Sequence, residues 1–432
     1  MSNEYILVEQ SIGLQGEVRL SGAKNAVLVI MASLILTKGR SILKNVPDLK
    51  DVKNMISLLE ILGAVTFFDP ENNRLEVDTT GVAGHKVPAD IMKKMRASIL
   101  VMGPLLTRFG CADIALPGGC VIGARPINYH LKSFEKMGVN IHLEGDFVSA
   151  KVKKRLQGTK IILEYPSVGA TENILMAAIC AEGKTKIVNA ALEPEVLDLI
   201  AVLRKMGAHI AILPASTIEV QGVTCLHPIE HEVIPDRLEA GALLLAAAVT
   251  GGQISIPQAP AYALDVFLMK LKEMGHTITV GPGDIGVRLQ ATAQPKVVSF
   301  KTGPYPGFPT DLQAPMMAAQ CTAEGAGCIQ ETVFENRLLH VRELQKMGAQ
   351  IKVEHNTAII TGIEELYSTS VIATDIRASC ALVLAGLIAE GQTIMTGVHH
   401  WKRGYQSLEK KLESLGASIS LVTEEFQEEP QI

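Results

Sequence analysis

The feature that most constrains the fold of this chain is a short phrase that occurs six times. Each copy ends a helix-like run at a glycine and continues into a strand-like run, as in KMGVNIHL, KMGAHIAI and SLGASISL. The six glycines lie 68 to 75 residues apart, at Gly63, Gly138, Gly207, Gly275, Gly348 and Gly416. A second glycine precedes each of them by 23 to 28 residues, at Gly39, Gly110, Gly183, Gly252, Gly325 and Gly391. A regular period of this kind is typical of a chain built from repeated supersecondary units.

The residues around both glycine series predict the same order of elements in every unit. A glycine just past a helix adopts the left-handed conformation that ends the helix and turns the chain. The run before the later glycine is amphipathic at 52–62 and 264–274, whereas the run before the earlier one is almost wholly apolar at 240–249 and 378–389. The unit is therefore predicted to be strand, helix, strand, helix, strand. Because one unit cannot bury its own helices, we expect two α/β lobes of three units, with sheets enclosing the apolar helices.

The composition excludes several classes of protein and partner. Of 432 residues, 47% are hydrophobic and 20% charged, which is typical of a globular protein. The net charge of −5 argues against a nucleic-acid partner, because contacts to many phosphates require a basic excess. The longest apolar stretch, 378–389, is too short for a membrane helix, and the acidic N-terminus is not a secretory signal. We therefore expect no membrane partner and a cytoplasmic location.

The number and spacing of the seven cysteines indicate the redox compartment of the protein. Their number is odd and no two of them form a C-x-x-C pair. Neither a disulfide framework nor a zinc ribbon is predicted. Most of the cysteines are expected to be small buried hydrophobic residues in a reducing cytosol.

Each apolar helix is expected to begin at a polar residue. These residues are Lys24, Asn25, Arg96, Ser167, Asp236, Arg237, Asp311, Asp375 and Arg377. At Ser167, Asp236 and Asp375 simple capping of the helix is as well founded as a functional role. Lysine and arginine oppose the helix dipole at this position, so the cationic residues are predicted to meet an anion or an acidic partner. A structural salt bridge is the alternative for about half of them.

The most unusual segment is LPGGCVIGARP at 116–126. Its glycines permit movement or a close approach to a ligand. Cys120 lies among them near Arg125, and a neighbouring cation favours the reactive thiolate, so we predict an exposed functional thiol over a buried structural one. Together with Asp311 beside the loop YPGFPTD and the cations at loop ends, this segment predicts chemistry on a polyanionic small molecule.

Several motifs with known chemistry are misplaced or absent. The sequence GPGDIG at 281–286 matches a dinucleotide-binding pattern, but it lies between two strand-like runs, so we predict a hairpin turn. The chain contains no G-x-x-x-x-G-K-[ST], H-E-x-x-H or G-x-S-x-G motif. His399 and His400 lack ligand spacing to another histidine. We therefore expect neither a metal nor any other cofactor.

Nine motifs together resemble those of the UDP-N-acetylglucosamine enolpyruvyl transferases. They are SGAKNA (21–26), MRAS (95–98), LPGGCVIGARP (116–126), SVGAT (167–171), PDR (235–237), FPTD (308–311), ETVFENR (331–337), TDIRAS (374–379) and RGY (403–405). The resemblance implies two inside-out α/β barrel domains of three units each. It assigns the catalytic Asp and Arg loops to a first lobe of residues 1–21 plus 235–432. The Cys loop and the sugar-nucleotide contacts fall in a second lobe of residues 22–234.

The resemblance also implies an activity and its catalytic residues. The activity is transfer of the enolpyruvyl group of phosphoenolpyruvate to the 3-hydroxyl of UDP-N-acetylglucosamine, with release of phosphate, by addition and elimination. This is the first committed step of peptidoglycan synthesis. Cys120 resembles the proton donor to the phosphoenolpyruvate methylene and the thiol that fosfomycin alkylates. Asp311 resembles the acid that deprotonates the attacking hydroxyl, which requires a base within hydrogen-bond reach.

The remaining site residues are implied in two groups. Cations that resemble the phosphate cradle are Lys24, Arg125 and Arg403, of which Lys24 and Arg403 also count as catalytic, with Arg337 and Arg377 supporting the carboxylate and the intermediate. Residues that resemble sugar-nucleotide contacts are Asn25, Arg96, the segment from Arg125 to Tyr129, Ser167, Val168, Gly169 and Val333. The chain departs from the family pattern at Asn128, Tyr129 and Tyr165, where an acid, a leucine and a basic residue are common, so those side-chain contacts are not implied here.

Two other functions share features with this sequence. The enolpyruvyl transferase that acts on shikimate 3-phosphate has the same six-unit fold and the same phosphoenolpyruvate cosubstrate, but it lacks the cysteine loop. A non-catalytic six-repeat clamp or binding paralogue would also have this architecture. The net charge and the placement of cysteine, aspartate and arginine in loops favour the enzyme that acts on the sugar nucleotide.

Overall fold

A computed structural model describes residues 3–115 and 127–424 of the chain. These residues form 24 strands and 14 α-helices. The strands are β1 Asn3–Glu9, β2 Gln15–Glu17, β3 Arg40–Lys44, β4 Val65–Asp69, β5 Arg74–Asp78, β6 Lys86–Val87, β7 Cys111–Ala115, β8 Val139–Glu144, β9 Phe147–Val152, β10 Lys160–Ile162, β11 Lys184–Val188, β12 His209–Leu213, β13 Thr217–Gln221, β14 Glu230–Glu232, β15 Gln253–Pro260, β16 Thr277–Val280, β17 Ile285–Gln290, β18 Phe300–Lys301, β19 Ala326–Gln330, β20 Gln350–Glu354, β21 Thr357–Thr361, β22 Ser370–Ile372, β23 Gln392–Thr396 and β24 Ile419–Glu424.

The helices alternate with these strands along the chain. They are α1 Lys24–Ser33, α2 Lys50–Ile61, α3 Ala89–Lys94, α4 Met102–Phe109, α5 Asn128–Lys136, α6 Val168–Ala178, α7 Pro194–Lys205, α8 Arg237–Val249, α9 Asp265–Glu273, α10 Gln313–Ala319, α11 Val341–Lys346, α12 Ile376–Gly386, α13 Val398–Gly404 and α14 Leu408–Ser414. Short 3-10 helices occur at Leu34–Leu36, Arg96–Val101, Ala261–Ala263, Pro282–Asp284 and Thr310–Leu312. None of the helices in the described ranges is long and apolar enough to cross a bilayer.

The strands form six open sheets of four strands each. Their orders are β14-β3-β5-β4, β6-β7-β9-β8, β10-β11-β13-β12, β16-β17-β15-β2, β18-β19-β21-β20 and β22-β23-β1-β24. Every sheet has one parallel pair and two antiparallel pairs, as in the third, where β10 runs parallel to β11 and antiparallel hairpin strands follow. The six-fold repeat and the α/β class are therefore confirmed.

The predicted unit lacks one strand that the structure contains. Among the described residues, five of the six later glycines are followed by a two-stranded hairpin rather than by a single strand, as in β12 and β13. The last, Gly416, is followed by β24, which pairs with β1. The hairpin turn between β12 and β13 places Ala215 and Ser216 at positive φ without a glycine. Because neither positive-φ position holds a glycine or an asparagine, the sequence gives a weak signal for this turn. Where a glycine is present, at 281–286, the predicted hairpin is confirmed: β16 and β17 pair antiparallel across it.

Eleven of the twelve repeat glycines have positive φ, between 69° and 125°. The exception is in the fourth unit, where Gly251 has φ 72° and Gly252 does not. Gly252 is required for a different reason, since a Cβ built there would lie 2.2 Å from the carbonyl oxygen of Leu14. The prediction of a left-handed cap at Gly252 is therefore wrong by one residue.

The chain divides into two compact units, which we call the split unit (3–20 with 235–424) and the inserted unit (21–115 with 127–234). Each has its own hydrophobic core. The apolar runs form the most buried helices: every residue from Arg237 to Ala248 in α8 is buried. By contrast, α2 buries one face, including Val52, Met55 and Leu59. The burial predicted for the two kinds of helix is confirmed.

The expected burial of most cysteines is wrong for the described residues. Only Cys321 and Cys380 are buried, whereas Cys225 and Cys328 are exposed and Cys111 and Cys180 are half-buried. Cys225 lies in a loop and Cys328 lies in β19, and the sequence around them gives little indication of which side chains are covered.

A third recurring glycine follows the last strand of two units, and the sequence pattern did not reveal it. The amide of Gly222 donates to the carbonyl of Gly183, and the amide of Gly362 donates to that of Gly325, each at 3.0 Å. A Cβ would lie 1.8 Å from the Ala181 carbonyl oxygen at Gly222, and 1.6 Å from that of Ala323 at Gly362.

Replacing Gly362 should therefore destabilise the split unit. The new methyl group in Gly362→Ala must displace backbone, so we expect a loss of about 1–3 kcal/mol or more in the free energy of unfolding. Gly303→Ala is the matched control, because a Cβ at Gly303 meets nothing within 4 Å. Urea unfolding followed by circular dichroism measures both. Equal stability of the two variants would contradict the contact.

Candidate active site

Asp311 lies in the 3-10 turn that precedes α10 and contacts two buried arginines. Its carboxylate is 2.6 Å from Nη2 of Arg337 and 3.4 Å from Nε of Arg377. The arginine side chains are 3% and 6% exposed, whereas that of Asp311 is 27% exposed. A carboxylate between two buried cations is held in one orientation while part of it stays accessible to a ligand.

The two arginines differ in how fully their donors are used. Nη1 of Arg377 donates to the Tyr405 hydroxyl at 3.1 Å. Burial opposes the charge of Arg377, but the neighbouring Asp311, Tyr405 and Asp236 raise its pKa above the ordinary value. Arg337 lies over the ring of Phe334, and among the described residues its Nε and Nη1 have no hydrogen-bond partner. Buried guanidinium donors without a partner are suited to bind an anion.

The turn after β19 contains a further predicted residue, Val333. Val333 donates its amide to Oε1 of Glu331 at 2.8 Å. Glu331 itself is 2% exposed, and the motif ETVFENR, which it begins, predicts no role for it. Sequence reasoning missed it because nothing local shows that a glutamate after a strand is buried.

Three of the polar residues predicted at helix starts are caps. Ser167, Asp236 and Asp375 each accept a hydrogen bond from the backbone at the start of α6, α8 and α12. The capping alternative is therefore correct for all three. Arg237 follows one of these caps, and its guanidinium carbon is 5.9 Å from the ring centre of Tyr305.

The inserted unit holds Lys24 at the start of α1. Lys24 is buried and its Nζ is 3.5 Å from the carboxylate of Asp51, which lies in the first turn of α2. This ion pair satisfies the prediction of an acidic partner for a cation at a helix N-terminus. Asn25 is exposed beside it. Asp51 carries no motif signal, so the sequence did not reveal it.

Val168 and Gly169 form the first turn of α6, behind the Ser167 cap. A Cβ at Gly169 would lie 3.6 Å from Cε1 of His130. The His130 ring is fixed in turn by Nδ2 of Asn173, at 3.0 Å from Nδ1. The absence of a side chain at Gly169 leaves the backbone donors of this helix start accessible to an anionic group.

Arg403 lies in the last turn of α13, next to Lys402, which pairs with Glu4 at 2.6 Å. Burial, with smaller effects of His399 and Arg403, lowers the pKa of His400 to about 4. His400 is therefore neutral at pH 7.

Three predicted site residues cannot be placed. Cys120 and Arg125 lie outside the described residues, as does the side chain of Arg96, whose backbone begins the 3-10 helix Arg96–Val101.

His340 provides a prediction for acid stability. It is fully buried, neither ring nitrogen has a hydrogen-bond partner among the described residues, and burial, with Arg337, lowers its pKa to about 4. The unfolded chain therefore binds this proton near pH 6.5 and the folded chain only near pH 4. Stability present above pH 6.5 is lost as the pH falls towards 4, by on the order of 3 kcal/mol.

His340→Leu should remove this dependence. Urea unfolding at pH 7 and pH 4.5 should show a smaller loss of stability in the variant than in the wild type. A loss of the same size in both proteins would show that His340 takes up its proton as readily in the folded chain as in the unfolded chain.

Comparisons with known proteins agree with this fold. The family model of EPSP synthase (3-phosphoshikimate 1-carboxyvinyltransferase) matches residues 8–412. The enolpyruvyl transferase NikO from Streptomyces tendae is similar with a TM-score of 0.88 and 25% identity, over 98% of this chain and 100% of that one. EPSP synthase from Acinetobacter baumannii shares the fold, with a TM-score of 0.74 and 18% identity over 97% and 100% of the two chains. The fold is that of the enolpyruvyl transferases.

Curated relatives identify the family within the enolpyruvyl transferases. Proteins named UDP-N-acetylglucosamine 1-carboxyvinyltransferase from Saccharophagus degradans and Acinetobacter baylyi are 45% and 47% identical, over 97% of this chain and 99% and 100% of theirs. UDP-N-acetylglucosamine 1-carboxyvinyltransferase 1 from Caldanaerobacter subterraneus is 49% identical, over 97% of this chain and 99% of its own length. The chain belongs to the UDP-N-acetylglucosamine 1-carboxyvinyltransferases, a family of transferase enzymes, and the resemblance stated from its motifs is confirmed.

Proposed function

We propose that this enzyme transfers the enolpyruvyl group of phosphoenolpyruvate to the 3-hydroxyl of UDP-N-acetylglucosamine and releases phosphate. The observation that carries the proposal is the Asp311 carboxylate, fixed by two buried arginines, one of which has two unpartnered donors among the described residues. The names of the relatives support the same substrates. A partly exposed base beside donors for an anion is what addition of an alcohol to an anionic alkene requires.

The reaction divides into two balanced steps. In the addition, the sugar oxygen bonds to C2 of phosphoenolpyruvate, the hydroxyl loses its proton, and C3 gains a proton to become a methyl group. In the elimination, the C2–O bond to phosphate breaks and C3 loses a proton, so the alkene is restored. Asp311 accepts the hydroxyl proton, and Cys120 supplies the proton to C3, as the resemblance implies.

The cations divide between the two ends of phosphoenolpyruvate. Lys24, Arg125 and Arg403 bind the phosphate, and Arg337 and Arg377 bind the carboxylate and the intermediate. Nε and Nη1 of Arg337, which have no partner among the described residues, support this assignment because each can donate to an anion. Asp51 maintains the charge and position of Lys24 through their ion pair.

The sugar nucleotide is proposed to bind through a further set of residues. Its contacts are Asn25, Arg96, the segment from Arg125 to Tyr129, Ser167, Val168, Gly169, Asp311 and Val333. The open start of α6 beside Gly169 supports this, because backbone donors at a helix N-terminus bind phosphate groups. In the cell the reaction would be the first committed step of peptidoglycan synthesis, in the cytoplasm. It would thereby serve cell wall biogenesis, cell shape and cell division and be a target of fosfomycin.

The experiment measures phosphate release from phosphoenolpyruvate with purified protein. Release that requires UDP-N-acetylglucosamine is the expected result. Shikimate 3-phosphate is the second arm, because the matching family model carries that substrate's name. Release with shikimate 3-phosphate alone would assign the sister reaction, and release with neither would favour a non-catalytic paralogue.

A further inference from the structure

Glu331 is a buried carboxylate outside the Asp311–arginine cluster. It follows β19, is 2% exposed, and accepts hydrogen bonds from four donors. A buried carboxylate is costly unless its oxygens are fully bonded, so this number of donors indicates a site that the fold maintains.

The two oxygens of Glu331 serve different segments. Oε1 accepts from the amides of Val333 and Phe334, at 2.8 and 3.1 Å, and from the Thr302 hydroxyl at 3.0 Å. Oε2 accepts from the hydroxyl of Thr310 at 2.8 Å. Thr310 directly precedes Asp311.

The Oε1 contacts alone would suffice to close the turn at 331–334. The contact of Oε2 with Thr310 adds a connection that a simple turn does not need. It joins the turn of Val333, a proposed sugar-nucleotide contact, to the residue beside the proposed base. Hydrogen bonds to a charged acceptor are stronger than neutral ones, so the connection limits movement of both segments.

We propose that Glu331 is a positioning residue for the transfer reaction, which fixes Asp311 through Thr310 and fixes Val333 through its amide. The inference rests on the proposed function for the roles of Asp311 and Val333. A base displaced by about 1 Å loses on the order of a hundredfold in rate. Loss of the connection should therefore lower kcat, and loss of the turn should also raise the KM for the sugar nucleotide.

Three variants separate these effects. Thr310→Val removes only the link beside Asp311, so we expect kcat to fall about tenfold to a hundredfold with little change in KM. Thr310→Ser keeps the hydroxyl and should recover most of that loss. Glu331→Gln weakens both connections and should lower kcat and raise the KM for UDP-N-acetylglucosamine together. Glu354→Gln, the same change at an exposed strand position of the split unit, is the control.

Kinetics of phosphate release and amide hydrogen exchange are both measured, the latter on Glu331→Ala as well. Exchange at Val333 and Phe334 should rise at least about tenfold in Glu331→Ala, because their acceptor is gone. A kcat within about twofold of wild type in Thr310→Val and Glu331→Gln would overturn the proposal. If the wild type shows no sugar-dependent release, the proposed function fails, and hydrogen exchange alone tests the role of Glu331. Unchanged exchange at 333–334 and 310–313 would then overturn the positioning role. If Glu331→Ala does not fold, exchange is measured on Glu331→Gln.

Discussion

Asp311→Asn should lower kcat roughly a hundredfold to ten-thousandfold, the range that a general base contributes. An amide of the same size cannot accept the proton of the attacking hydroxyl. It also removes the negative partner of Arg337 and Arg377, whose side chains are almost fully buried. The two guanidinium groups then repel each other without a carboxylate between them. The substitution therefore alters the electrostatics of the site and removes the proposed base.

Phosphate release under saturating substrates measures this effect. Asp284→Asn is the matched control, since Asp284 is an exposed turn residue at φ 56°, a conformation that asparagine tolerates. The control should retain wild-type turnover. A turnover of Asp311→Asn within about tenfold of wild type would exclude Asp311 as the base. Circular dichroism and the urea midpoint establish that the variant is folded.

Cys120→Ser should abolish turnover, whereas Cys120→Asp should keep much of it. A serine hydroxyl is far too weak an acid to protonate the phosphoenolpyruvate methylene, and a carboxylic acid can replace a thiol as a proton donor. Neither variant offers a thiolate at position 120, so fosfomycin should leave the turnover of Cys120→Asp unchanged and should add covalently to neither variant, in contrast to the wild type.

Intact-protein mass spectrometry after fosfomycin treatment checks the second half of this prediction. Cys225→Ser is the control, because Cys225 is an exposed cysteine among the described residues of the inserted unit. That variant should stay active and become labelled once, as the wild type does. Full turnover of Cys120→Ser, or labelling of Cys120→Asp, would remove Cys120 from the mechanism.

The sequence predicted what depends on local signals. Glycine caps, apolar helix runs and their regular spacing each act within a few residues, so the six units and the buried α8 and α12 followed from them. The hairpin after Leu213 did not, because its two positive-φ positions hold Ala215 and Ser216 rather than glycine or asparagine. The exposed Cys225 and Cys328 were missed because burial depends on distant segments.

The candidate site shows the same division. Lys24, Asp311, Arg337 and Arg377 could be named from motifs, since cations at helix starts and an acid in an unusual loop stand out. Their partners could not be named. Asp51 contacts Lys24 from 27 positions away along the chain, and Tyr405 contacts Arg377 from 28. Glu331 contacts Thr310, the neighbour of Asp311, from 21 positions away. Only the fold brings these partners together.

The measurement that tests the central claim most directly is NMR of the product formed in heavy water. Addition of a solvent deuteron at C3, followed by loss of a proton or deuteron from the methyl group, should give an enolpyruvyl ether at O3 of UDP-N-acetylglucosamine with deuterium in its vinyl group. Inorganic phosphate should appear in equal amount. Unchanged UDP-N-acetylglucosamine, or an ether that carries only the original hydrogens, would contradict the transfer by addition and elimination.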